Sequence, residues 1–253
     1  MARSLVTRSG RPLAIIAHRG CHQREPENTL AAFAEALALG VDGIELDVRQ
    51  TACGSLICFH DAYTRRLLGI SGRVGRMELC RMLDFKVRHE TSGKVRPVAT
   101  LDEALELLAG RVEVMLDLKQ ESVRATSLER DTVSLLRRHG MQDGVVISSF
   151  NPWVLRRVKA LAPEFRTALI AGSRLAVRLF NPAYCDGLHV HHSLLAARWF
   201  ARLRAPSGLV VWTVDSRLDL PHPVPDSVRA LITNYPRRLR PASRSPRGLR
   251  RLA

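Results

Sequence analysis

The sequence predicts an α/β barrel of the (β/α)8 TIM type, with a small inserted lobe after a hairpin at its second strand. Three observations carry that prediction. Nine short apolar runs rich in β-branched residues recur along 253 residues. They are continuous rather than alternating, which is the pattern of strands covered on both faces. Helical patterns separate most of them, and the length suits one large domain of this architecture.

The runs fall at residues 13–17, 43–48, 56–59, 112–118, 145–148, 167–170, 188–190, 209–214 and 231–233. Nine candidates compete for eight places. The run at 56–59 follows that at 43–48 after a turn too short for a parallel crossover, so a hairpin is expected there, with one strand outside the barrel count. Asn28 is expected to cap a helix whose Leu30, Phe33 and Leu37 share one face. Residues 62–97 interrupt the alternation with four glycines, many arginines and a short helical piece near 77–83. They read as the inserted lobe, lying over the barrel mouth. Thr100 and Glu103 form a capping box before a helix at 104–108. Helices are also expected at 127–138 and 194–203, and after Asn151, which precedes a proline at the first helical position. Residues 216–226 hold three prolines, so the last crossover is expected to be degenerate. The domain reading is an N-terminal extension at 1–13, a barrel at 14–236 with its lobe at 62–97, and a basic, disordered tail at 237–253.

No apolar run approaches the ~18 residues of a membrane span. Residues 1–13 lack the hydrophobic stretch of a secretory signal. The five cysteines (Cys21, Cys53, Cys58, Cys80 and Cys185) are scattered and odd in number, and are read as reduced thiols in a cytoplasmic chain. The net charge is +15, and the last seventeen residues supply seven arginines and no acid. Such a surface attracts anionic substrates, acidic lipid headgroups or nucleic acid without choosing among them.

The chemistry-bearing residues collect at the ends of the expected strands, where a βα barrel builds its reaction site. His18 and Arg19 end the first, Glu45 and Asp47 lie in the second, and His60 closes the hairpin. Asp117 and Lys119 end a later strand. Glu45 and Asp47 are two positions apart and share a strand face. With a third carboxylate from another strand they form an oxygen-rich site for a hard divalent cation, Mg²⁺ or Ca²⁺. Two imidazoles can remove one proton and deliver another near neutral pH. Arg19 and Lys119 add fixed positive charge. The set suits a phosphate ester whose charge must be held while its leaving group is protonated.

At these residues the sequence resembles the glycerophosphodiester phosphodiesterase family, among the phosphatidylinositol-phospholipase-C-like barrels. The matching blocks are AHRG at 17–20, PENT at 26–29, GIELDV at 43–48, FHD at 59–61, RPVATLDE at 96–103, MLDLK at 115–119, SSF at 148–150, VWTV at 211–214 and ITNYP at 232–236. Each is weak alone; in order, together, they are specific. The resemblance implies that His18 and His60 are the acid/base pair and that Glu45, Asp47 and Asp117 hold the cation. It implies that Arg19 and Lys119 bind phosphate, and that Phe150 and Trp212 line the pocket for the glycerol or alcohol part. The implied reaction yields sn-glycerol 3-phosphate and an alcohol; attack of the substrate's 2-hydroxyl through a cyclic phosphate is the favoured route, with direct attack by water as the alternative. Two departures stand out. Asp117 replaces the family's usual glutamate, shortening the reach to the metal, and the usual Arg-Thr-Thr after His-Asp reads YTRRLL at 63–68.

Two other readings stay open at this point. One is lysophospholipase D activity on lysophospholipids, which a larger apolar groove at the mouth would favour. The other is a non-catalytic basic barrel that binds anions or nucleic acid. No recognised nucleic-acid motif is present, so no specific nucleic-acid partner is expected. His189 and His191 share a strand face but read as core or solvated residues. The basic tail is read mainly as a solvated extension, with weak association to an anionic membrane surface as the alternative.

Overall fold

The computed structural model describes residues 5–124, 126–195, 203 and 205–239. In chain order the elements are β1 (Ala14–His18), α1 (Leu30–Leu39), β2 (Gly43–Gln50), β3 (Leu56–Cys58), α2 (Arg65–Leu68), α3 (Leu79–Leu83), β4 (Lys86–Arg88), β5 (Val95–Pro97), α4 (Leu101–Leu108), β6 (Glu113–Leu118), α5 (Leu128–Arg138), β7 (Val145–Ser149), α6 (Pro152–Leu161), β8 (Arg166–Ala171), α7 (Arg174–Val177), β9 (Gly187–His191), β10 (Leu209–Trp212), β11 (Val228–Thr233) and α8 (Pro236–Leu239). Strands β1, β2, β6, β7, β8, β9, β10 and β11 pair in parallel in that order, and β11 pairs back to β1 to close the barrel. Strand β3 runs antiparallel to β2 outside the barrel, as the short turn predicted.

The apolar runs are continuous because each barrel strand is covered twice. One face fills the barrel interior with Ile16, Met115, Val146, Ala168, Val210 and Ile232. The other packs Leu46, Val114, Leu116 and Ile147 under helix residues such as Phe33, Leu101, Ala104 and Leu136. Fully burying one such side chain contributes about 1.5–3 kcal/mol. The interior is tight at its base: a Cβ on Gly43 would stand 2.5 Å from Ile16 Cδ1.

The helices start where local chemistry directs them, with one correction. Thr29, not Asn28, caps α1, accepting from Ala32 N at 3.3 Å. Asn28 sits at φ 55° and turns its amide to Asp47 instead. The capping box at Thr100 and Glu103 forms, and Asn151 accepts from Trp153 N ahead of Pro152. Helix α5 carries Glu129 and Asp131 in its first turn and Arg137 and Arg138 in its last, complementing its dipole. The helix expected at 194–203 lies largely outside the described residues; within them, His192–Leu194 form one 3-10 turn. The crossover before β11 is a single 3-10 turn, Arg217–Asp219.

The segment between β3 and α4 holds α2, a 3-10 turn at Val74–Arg76, α3, and the β4–β5 pair. That pair was not expected. Each strand has three residues, mostly exposed, too short and polar to show periodicity. The segment has its own small core of Ile57, Phe59, Leu67, Leu68, Val74, Met82, Val87 and Val98. Residues 240–253, most of the basic tail, lie outside the described residues; Arg237 pairs with Glu35 at 2.9 Å. Among the described residues no helix is long and apolar enough to cross a membrane.

Candidate active site

Strand register assembles the site. His18 on β1 stands beside Glu45 on β2, and Asp47 on β2 stands beside Asp117 on β6, which stands beside Ser148 on β7. Residues in register share a face, so these form two successive rungs inside the barrel near its C-terminal rim. All nine candidate residues line one cavity of about 180 Å³: His18, Arg19, Glu45, Asp47, His60, Asp117, Lys119, Phe150 and Trp212. Ser148, Ile170, His189, Thr213 and Ile232 complete its wall.

Glu45, Asp47 and Asp117 are all buried, and one oxygen of each lies within 4.8 Å of the others. Lys119 Nζ answers part of that negative charge. It lies 2.9 Å from Asp47 Oδ1 and bonds Asp117 Oδ2. Arg19 Nε lies 3.1 Å from Asp47 Oδ2. Asp47 also receives the Asn28 side-chain amide at 2.7 Å and donates its own backbone N–H to Asn28 Oδ1 at 3.1 Å. Burial alone would raise the Asp47 carboxyl, but Lys119 and Arg19 hold it well below the usual range. Glu45 lacks such cover. Burial, then Asp47 and Asp117, push it well above the usual carboxylate range. Asp117 is pushed up to about 6 by burial against the opposing pull of Lys119. Its Oδ1 is buried without a hydrogen-bond partner among the described residues. Three converging hard oxygen donors, one of them orphaned, fit a divalent cation.

The two imidazoles are held differently. Asp215 accepts from Asn234 Nδ2 at 2.8 Å, which turns the Asn234 carbonyl oxygen toward His18 Nδ1 at 2.6 Å and His22 Nε2 at 3.0 Å. A carbonyl oxygen only accepts, so His18 carries its proton on Nδ1 and leaves Nε2 bare. Burial, followed by Arg19, lowers the His18 imidazole to about 4, so it is neutral at pH 7. His60 Nδ1 bonds Asp61 Oδ1 at 2.7 Å, and burial likewise lowers its imidazole.

Asp61 begins a chain of ion pairs. Arg66 on α2 reaches Asp61 at 2.7 and 2.9 Å and Glu27 at 2.8 and 3.0 Å. Glu27 accepts from Arg19 at 2.8 Å. Arg19 itself has φ 52°, a left-handed conformation that aims its N–H at Glu45 Oε2, 3.1 Å away. Gly20 follows at φ 81°, and a Cβ there would lie 2.8 Å from the Ala32 carbonyl carbon. Only glycine lets the chain turn this close to α1.

Phe150 and Trp212 meet edge to face at 5.6 Å, with Lys119 Nζ 5.5 Å from the Phe150 ring. Phe150 is 49% exposed, so it forms the rim and not the core. The sequence reading passed over Asn28, Asn234 and Asp215 as site residues. Asn28 and Asn234 lie inside two of the quoted blocks and Asp215 directly follows a third; polarity just past a strand end was the available signal for Asn234 and Asp215, whereas Asn28 stands before α1 and reads only as a cap. His189, read as a core or solvated histidine, is buried and faces the same cavity.

The chain is similar to known proteins over most of its length. The model of the glycerophosphoryl diester phosphodiesterase family matches residues 18–238. A glycerophosphodiester phosphodiesterase of Caldanaerobacter subterraneus subsp. tengcongensis is 31% identical over 233 residues, covering 89% of this chain and 95% of its own. A solved glycerophosphoryl diester phosphodiesterase from Silicibacter pomeroyi superposes with a TM-score of 0.78 at 22% identity, covering 94% of this chain and 92% of that one. A phosphodiesterase from Oleispira antarctica, solved with the product sn-glycerol-3-phosphate, gives 0.75 at 24% identity, covering 89% and 94%.

Proposed function

This chain belongs to the glycerophosphoryl diester phosphodiesterase family, and on that premise we propose that it hydrolyses glycerophosphodiesters to sn-glycerol 3-phosphate and an alcohol. Glu45, Asp47 and Asp117 hold a divalent cation, Mg²⁺ or Ca²⁺, and His18 and His60 move the protons. The barrel at 14–236 is the catalytic unit and 62–97 its inserted lobe. The observation that carries the proposal is the convergence of two imidazoles and three carboxylates on one cavity.

When bound, the cation supplies Lewis-acid polarisation of a phosphoryl oxygen. Arg19 and Lys119 hold the remaining phosphate charge. One imidazole takes the proton of the glycerol 2-hydroxyl as that oxygen attacks phosphorus. The bond from phosphorus to the alcohol breaks, and the other imidazole gives its proton to the departing oxygen. Water then opens the cyclic phosphate with the two imidazoles in exchanged roles. The neutral His18, with Nε2 free, is suited to accept a proton. Phe150 and Trp212 pack against the carbon skeleton and keep bulk water from the reacting bond.

The test is release of glycerol 3-phosphate from glycerophosphocholine with Mg²⁺, Ca²⁺ or chelator. His18→Ala and His60→Ala are each expected to lower kcat by about 10²–10⁴-fold, the usual contribution of acid/base catalysis. Activity within a few-fold of the parent in either variant would falsify the assignment.

One observation favours a second substrate. A cleft of about 540 Å³ opens at the rim beside Lys119 and Phe150, walled by Val123, Pro152, Trp153 and Leu179. Val123, Trp153 and Leu179 are 66, 47 and 50% exposed. Contiguous exposed apolar surface next to a reaction site suits an acyl chain. Lysophosphatidylcholine therefore belongs in the same assay, and its cleavage at the headgroup side is the expected lysophospholipase D result.

A further inference from the structure

A second cleft of about 290 Å³ shares Lys119 with the catalytic cavity, and its chemistry is unlike that of the apolar groove. Its wall is built by the end of β2, the 3-10 turn that begins after Arg73, and the loop that follows β6. Arg49, Arg73, Arg76 and Lys119 line it together with a single carboxylate, Glu121. That carboxylate is already bound by Arg49 Nη1 at 2.9 Å. Arg49 is anchored as well: its Nε donates to the carbonyl oxygen of His60 at 2.7 Å, and its side chain is only 12% exposed. Arg49 thus ties one side of this cleft to the backbone of a candidate acid/base residue.

In a chain with 39 lysines and arginines a single arginine means little. Here three arginines and Lys119 line one concave surface; Arg49 is held by Glu121 and Lys119 by Asp47 and Asp117, so Arg73 and Arg76 are the pair that faces an incoming anion. Arg66, a few residues before the turn, is spent on Glu27 and Asp61. Arg73 and Arg76 make no ion pair among the described residues. Guanidinium groups arriving from different elements suit a tetrahedral oxyanion, whose three terminal oxygens accept from several directions, better than a planar carboxylate. The volume is at the small end of ligand cavities, ~300–1,000 Å³, and suits a compact polar group.

We propose that this cleft binds a phosphate carried by the alcohol half of the diester, so that the enzyme prefers substrates whose leaving group is a phosphorylated alcohol. The inference rests on the phosphodiesterase reading above and names the leaving-group class for that same site.

The test compares two diesters that differ by one phosphate: glycerophosphoglycerol, and the same molecule phosphorylated on the terminal hydroxyl of its alcohol half. The parent enzyme is expected to show kcat/KM at least tenfold higher on the phosphorylated diester, with the advantage shrinking as salt is raised. The double variant Arg73→Gln/Arg76→Gln, both positions exposed, is expected to keep the parent's kcat/KM on glycerophosphoglycerol within twofold and to lose most of the preference. Equal rates on the two diesters, or a preference unchanged in the double variant, would overturn the proposal. Calorimetric binding of both diesters to chelator-treated protein separates the two layers of argument. If neither diester turns over, the phosphodiesterase reading falls. In that case tenfold tighter binding of the phosphorylated diester, lost in the double variant, still upholds the cleft, and equal binding refutes it.

Discussion

Lys119→Met removes an ammonium that stands among three buried carboxylates, and the structure sets the size of the effect. At 2.9 Å and an effective dielectric constant of ~20, the attraction to Asp47 is roughly 6 kcal/mol, most of which the dehydration of the ammonium takes back. The carboxylates also have an escape, because Asp117 already titrates near pH 6 in the parent and can take up a proton. Without Lys119 its folded-state value moves higher still. A carboxyl whose folded pKa lies above its unfolded value contributes stability at low pH and loses it as pH rises toward the folded pKa. The parent therefore completes its loss near pH 6, while the variant goes on losing about 1.4 kcal/mol per pH unit beyond it. The penalty for Lys119→Met should grow by about 2–3 kcal/mol between pH 6 and pH 8. Urea unfolding of both proteins at the two pH values, in chelator, measures it. Saturating Ca²⁺ or Mg²⁺ should erase most of the difference, since a bound cation supplies the missing charge. A penalty that is the same at both pH values, or indifferent to cation, would show that the three carboxylates do not act as one electrostatic cluster.

Two further predictions concern stability. His189 is buried, and burial with the charge of Arg229 lowers its imidazole to about 3. The unfolded chain binds that proton near pH 6.5 and the folded one does not. Stability is therefore complete above pH 6.5 and falls about 1.4 kcal/mol per unit below it. His189→Gln should lessen the acid-side slope of unfolding free energy by that amount between pH 6 and 4, and an unchanged slope would contradict the burial argument. Gly20→Ala places a Cβ against the Ala32 backbone at positive φ, and should cost about 3 kcal/mol or more in denaturant unfolding. A loss below about 1 kcal/mol would mean that the turn carrying Arg19 adapts easily.

Much of the barrel is legible in the chain because each strand is sealed on both faces, which leaves an unbroken apolar signature. Val145 to Ser149 shows it plainly, every residue of β7 being buried. The ionisable residues stand out because carboxylates two apart inside such a run have no structural reason to be there. What the sequence could not show was decided by distant partners. Asn28 and Thr29 are both good caps, and nothing local chooses between them. The choice falls to Thr29 because Asp47, nineteen residues on, takes both ends of the Asn28 amide. Asn234 is an ordinary loop residue until Asp215 orients it toward His18. Strands β4 and β5 escaped because three exposed residues cannot carry a period.

The ion-pair run from His60 through Asp61, Arg66, Glu27 and Arg19 to Asp47 has a consequence for anyone exchanging parts between such barrels. A loop tethered only at its two ends is an interchangeable accessory. This one is wired into the reaction chamber by Arg66. A transplanted substitute without a guanidinium at that spot would leave Glu27 to Arg19 alone and Asp61 to His60 alone, loosening the hold on an imidazole at one end and on an arginine of the cavity wall at the other. The insertion and the barrel are thus one machine part and must be moved, trimmed or redesigned together.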